Sequence, residues 1–314
     1  MNEKISMLGS IASGIVGSAV FVLGTWVHPV QAANPFCRDA STCPEYDMGS
    51  QAREGFDAMF RDGNYDRAKK AAEGAIVAES DDPITHAMQA SLVYLYEDGW
   101  DRFKTHATDT RETAEALIPT NPLRGNLYAA VGYFLEGAHT LQTEGTVRGT
   151  PAALSKLRQV FGHLEEAEKI DPSDPELNII KGFMDLMLAV NLPLANPEDS
   201  LDRLAYQAGP DYLAYRGLAI GYRDLNRPQE ALTEVQNALA ITPDNPEVQY
   251  LQAQIYVENG DYEQSLDWFK KAWEKRAQLP NDLKKQIKRE CNKAQREVNP
   301  NRADSERLCQ DDES

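Results

Sequence analysis

Two consecutive segments, 212–245 and 246–279, superimpose at a fixed offset, and this repeat restricts the fold more tightly than any other property of the chain. Tyr222 and Tyr256, Ala231 and Ser265, and Ala238 and Ala272 each stand 34 positions apart. Each copy holds two runs of helical apolar spacing parted by a break: Asn226-Arg227-Pro228 in the first, Asn259-Gly260-Asp261-Tyr262 in the second. Proline is tolerated just inside a helix start, so Pro228 opens the second run. Pro243-Asp244-Asn245-Pro246 then separates one unit from the next. Apolar spacing between 49 and 298 is helical rather than alternating, which predicts a chain with no sheet.

Weaker copies precede these two. Asp62-Gly63-Asn64-Tyr65 followed by Ala68, Ala72 and Ala75 matches the turn and second helix of a unit over 49–82. Pro119-Thr120-Asn121-Pro122 and Pro172-Ser173-Asp174-Pro175 repeat the Pro243–Pro246 joint. From Pro119 to Pro172 is 53 residues, so the unit between them is enlarged, and Gly145–Pro151 is the expected place of its turn. From Pro172 to Pro243 is 71 residues, two repeats with an insertion near Asn191–Pro197. About six helical pairs result.

The residues Tyr215, Leu218, Ala219, Tyr222, Ala231, Val235, Ala238 and Pro243 resemble the tetratricopeptide repeat (TPR) pattern, and Tyr250, Leu251, Ala253, Tyr256, Ser265, Phe269 and Ala272 repeat most of it. Ala277 departs from the pattern, which expects proline there. The resemblance spans 49–280 and implies an all-α, right-handed superhelical solenoid of helical hairpins that presents a groove to a protein or peptide partner. In that family the groove is lined from the first helix of each unit. Carried onto this chain, the positions are Leu213, Arg216, Ile220, Arg223 and Asp224, then Glu247, Tyr250, Gln254, Val257 and Glu258, with Arg53 and Arg61 in the first unit. Arginine and tyrosine are residue types that often anchor partners. Family members that clamp chaperone carboxyl termini use Lys and Asn where Arg53 and Asp57 stand, and Asp57 would repel that carboxylate.

The amino end stands apart. Residues 5–27 are apolar or small behind Lys4, and Val30-Gln31-Ala32 follows, which predicts a secretory signal over 1–32 cleaved after Ala32 or Ala33. An uncleaved anchor is the alternative, since the run is long enough to span a bilayer. Four cysteines fit an exported chain in a periplasm or equivalent lumen: Cys37 and Cys43 in a segment over 33–48, Cys291 and Cys309 in the end over 281–314. A stacked solenoid holds its termini apart, so the resemblance implies Cys37–Cys43 and Cys291–Cys309. Leu283, Ile287, Cys291, Ala294 and Val298 form one stripe of a helix that would cap the last unit.

The net charge of −17 makes nucleic acid a poor partner. Residues 270–298 are the exception at plus 6, a basic end that suits an acidic partner or weak self-association. No stable membrane insertion is expected once the signal is removed. Neither cofactor nor metal is expected: C-x5-C lacks the two-residue knuckle of zinc sites, C-x-x-C is missing, and so are the phosphate-loop, zincin and nucleophile-elbow motifs. Glu165 and Glu166 beside His163 are the most enzyme-like cluster, on a helix face where charges usually meet solvent. The expected function is therefore a non-enzymatic exported scaffold, serving assembly or maintenance of an envelope complex. The rivals are an envelope hydrolase or redox protein, and a solute-binding role for Tyr128, Tyr133 and Phe134 in the enlarged unit.

Overall fold

In the computed structural model, the described residues are 34–38, 46, 48–96, 99–191, 196–300 and 308–310. The expected signal over 1–32 and Cys43 lie outside them. Among the described residues there are twelve α-helices and no strand.

Helices α1 (Ser50–Phe56, extended by a π turn Asp57–Arg61) and α2 (Tyr65–Ala78) form the first hairpin, and α3 (Pro83–Leu95) and α4 (Trp100–Leu117) the second. The third is α5 (Pro122–Ile170), folded on itself at Gly145, whose φ of 77° suits glycine. Lys156 on its second arm reaches Glu136 on its first, so the enlarged unit is one hairpin with long arms and its turn within the expected Gly145–Pro151 stretch. Then come α6 (Pro175–Asn191) with α7 (Pro197–Tyr206), α8 (Asp211–Asp224) with α9 (Pro228–Ile241), and α10 (Pro246–Glu258) with α11 (Tyr262–Glu274). Helix α12 (Asn281–Val298) caps α11.

One local device starts most first helices. Asp82, Asn121, Asp174 and Asn245 each accept backbone N–H bonds from the first turn that follows, and Pro83, Pro122, Pro175 and Pro246 sit at the first helical position. The side chain satisfies donors that a helix start leaves open, and proline needs no donor there. Asn196-Pro197 at the start of α7 does the same. Small residues set the approach within and between hairpins: Ala219, Ala231 and Ala238 are fully buried inside the fifth, and a Cβ on Gly132 of the third would stand 2.6 Å from the Arg111 backbone on α4 of the second.

The stack does not stay open. Asn245, besides capping α10, donates to the carbonyls of Phe60 and Arg61 at 3.1 Å each, and Gln278 donates to those of Asp62 and Gly63 at 3.2 Å. These carbonyls close the π turn, where no helical N–H follows to claim them. Ahead of α1, Phe36 is fully buried edge-on to Phe56, and the Arg38 guanidinium donates to the carbonyls of Leu204, Ala205 and Ala208 at the end of α7. The first hairpin and the segment ahead of it thus pack against the later units, and one apolar core runs from Phe36 to Cys309. This corrects the expectation of distant termini. That expectation followed helix pairs in chain order and took no account of side chains reaching the carbonyls of the first turn.

The local cysteine pairing is nonetheless found at the carboxyl end. Cys291 and Cys309 are bonded, with Cα atoms 6.2 Å apart, and Trp273 Nε1 donates to Gln310 O at 2.8 Å beside them. Cys37 is also in a disulfide. No helix among the described residues is long and apolar enough to cross a membrane.

Candidate functional site

The expected groove residues of α8 and α10 do share one side, but the chain itself covers its middle. Leu213, Arg216, Glu247 and Tyr250 are buried, while Ile220, Arg223, Gln254 and Val257 are half-buried and Glu258 exposed. The Glu247 carboxylate accepts from Arg216 Nη2 on one oxygen and from the Tyr65 hydroxyl of α2 on the other. A buried cation, a carboxylate and a phenol meet across the closure, and pairing offsets the cost of burying the charges, although Arg216 Nη1 is buried without a hydrogen-bond partner. Arg216 was expected to face a partner; it faces Glu247 because α2 fills the space in front of it.

Arg53 and Arg61 are half-buried on the first unit's wall of the same interior. Arg53 pairs with Asp57 at 3.4 Å. Burial lifts the Asp57 carboxyl to about 6 against the opposing pull of Arg53 and Arg61. Burial also raises the Tyr212 hydroxyl, and the charge of Asp57 adds to that.

Nearer the cap the interior is partly open, and its polar groups form a second network. Arg223 donates to Asp224 Oδ1 and to Gln254 Oε1, both at 2.8 Å. Tyr250 and Gln254 donate to Glu290 Oε2 on α12 at 2.6 and 3.0 Å. Burial raises the Glu258 carboxyl, with Arg223 pulling it down and Asp224 and Glu290 pushing it up. Glu258 therefore lies in the field of one guanidinium and two further carboxylates.

The second-helix side carries an open cleft that the sequence reading did not single out. It has a volume of about 440 Å³ and lies between α9 and α11, with α10 as its floor. Leu239, Tyr256 and Trp268 supply apolar wall, and Gln236, Gln264, Asp267 and Lys271 a polar rim. Lys271 Nζ sits 3.6 Å from the centroid of the Trp268 ring. Gln252 Oε1 is buried at the floor without a hydrogen-bond partner. An apolar wall with a few polar groups is the usual make-up of a binding cleft. Tyr256 and Trp268 stand twelve residues apart on different helices of one hairpin, and their joining across the unit has no periodic signature.

The other singled-out residues take structural places. His163 Nδ1 meets Asn126 Oδ1 at 2.8 Å and its ring stacks on Tyr133 at 5.5 Å, while Glu165 and Glu166 are exposed. Tyr128 is fully buried and donates to Glu176 at 2.7 Å, in a cluster where the Arg124 guanidinium lies 3.7 Å from the Tyr46 ring centroid. Burial lifts the Glu176 carboxyl to about 7 although Arg124 opposes it. Tyr133 and Phe134 are half-buried against the core.

Residues 222–287, from the end of α8 into α12, match the tetratricopeptide repeat family model. The cleft lies wholly within that stretch. No curated protein matches the chain. Among solved structures, a thermophilic TPR protein of Thermus thermophilus is similar at 20% identity and a TM-score of 0.30, over 74% of this chain and 91% of that one.

Proposed function

We propose that this chain is an exported, non-enzymatic scaffold that holds a protein or peptide segment in a periplasm or equivalent lumen, in the service of an envelope or membrane complex. Tetratricopeptide repeats generally mediate protein–protein interaction, and proteins built on them are typically scaffolds. The observation that carries the reading is the open cleft between α9 and α11 inside the repeat-matched stretch. Its apolar wall suits one anchoring side chain of a partner, and its Asp267 and Lys271 rim suits polar contacts around it. The cysteines and the apolar segment before Ala32 support export.

The test is affinity capture from the native envelope with mass spectrometry, repeated with Asp267→Arg combined with Lys271→Glu, and separately with Glu258→Lys. The reading expects loss of partner in the rim variant, an unchanged melting temperature and a mature chain beginning at Ala33 or Asn34. Capture lost only in Glu258→Lys moves the site to the interior face. Turnover of envelope substrates by the purified protein supports the hydrolase rival instead.

A further inference from the structure

The second hairpin holds a cluster that the scaffold reading does not use. His86 sits in the first turn of α3, and His106 and Asp109 lie one turn apart on α4, so they share a face. One ligand atom from each of the three lies within 4.8 Å of the others.

Hydrogen bonding decides what these atoms offer. His86 is 7% exposed, and its Nε2 lies 2.8 Å from the Ser80 carbonyl, which can only accept. The Nε2 proton is therefore committed to Ser80, and a neutral ring turns its Nδ1 lone pair toward Asp109. Nδ1 is buried without a hydrogen-bond partner, 3.7 Å from Asp109 Oδ2. Nδ1 of His106 is likewise buried and unpartnered. With a neutral ring, two acceptors face each other with no donor between them, and a cation between them satisfies both. A backbone carbonyl that fixes the tautomer of a ligating histidine is the usual outer support of a metal site.

We infer that His86, His106 and Asp109 form a binding site for a divalent cation of the zinc class. Two imidazoles and one carboxylate are a zinc donor set, and three protein ligands leave a fourth position for water or an external ligand. Ligand atoms around a tetrahedral zinc at about 2.0–2.2 Å stand about 3.3–3.6 Å apart. The His86–Asp109 separation is already close to that spacing, and no pair needs to close by more than about 1.5 Å. The signal in sequence was only His106-x-x-Asp109; His86, twenty residues upstream, joins it through the hairpin.

The test uses the whole chain stripped of metal by chelator and free of any histidine tag, with excess Mg²⁺ to occupy the acidic surface. Cobalt(II) serves as the optical probe and zinc as competitor. One equivalent of cobalt should produce visible ligand-field bands that zinc abolishes, and zinc should raise the melting temperature. His106→Gln and Asp109→Asn should each weaken binding by at least about 10-fold while melting near wild type without metal. His139→Gln, outside the cluster, should bind as wild type. His86→Gln, the most buried position, is read alongside by circular dichroism. No saturable cobalt or zinc binding by the wild type overturns the inference and leaves His86 and Asp109 an ion pair only. Undiminished binding in the combined His106→Gln and Asp109→Asn variant overturns it equally.

Discussion

Arg216 shows how a residue chosen for one role serves another. Its position in the repeat directs it to a partner groove, yet its guanidinium meets Glu247, with both side chains under a tenth exposed. Arg216→Ala therefore leaves a buried carboxylate without its cation and should cost about 3–5 kcal/mol, read as a large drop in urea midpoint. A surface arginine would cost within about 0.5 kcal/mol. Glu176 makes a second prediction. Its folded carboxyl titrates near 7 against 4.5 for the free side chain, so between those values the unfolded chain releases a proton that the folded chain keeps. Its contribution to stability therefore falls as pH rises from about 4.5 to about 7. Asp57 acts likewise from 3.8 to about 6. Glu176→Gln should flatten the decline of urea midpoint across that window, and an unchanged slope would show that Glu176 titrates normally.

At the scale of elements, the cap helix α12 is held from two sides. Its apolar stripe buries Ile287, Cys291 and Ala294, and Glu290 on another face accepts from Tyr250 and Gln254. The disulfide ties the tail to this helix across a separation of 18 residues, and Leu308 N donates to Gln295 Oε1 at 2.8 Å beside it. Closing a loop of that length restricts the unfolded chain by about 3 kcal/mol. Cys309→Ser should lower the melting temperature accordingly and expose the 308–310 segment to protease, while circular dichroism keeps its helical amplitude. A variant that melts as wild type would mean the tail contributes no stability.

For the whole molecule, closure is the property that separates this structure from an open stack. Tyr65 and Glu247 are 182 residues apart and share one hydrogen bond. A double-mutant cycle of Tyr65→Phe and Glu247→Gln should give a coupling of about 0.5–3 kcal/mol. In an open stack the two would be independent, and additive costs would refute the closure. The closure also bears on recognition: with α2 seated over Arg216 and Glu247, surface open to a partner remains at Glu258 and in the cleft bounded by Tyr256 and Trp268.

The elements and their pairing are written in local sequence. Helical spacing, Asn-Pro and Asp-Pro starts and small residues at the close contacts are local signals that act within one hairpin, so the six pairs, the Gly145 turn and the α12 cap were all legible. The cysteine bond at the carboxyl end was legible too, because both partners lie within the cap region. Which faces remain free is set by packing between distant units. That Asn245 and Gln278 claim the carbonyls of Phe60 to Gly63 depends on accumulated rotation over five hairpins, including the oversized third. No local pattern encodes such a sum. The burial of Arg216, the open cleft at Trp268 and the meeting of His86 with Asp109 all follow from geometry between helices, where periodicity along one helix carries no information.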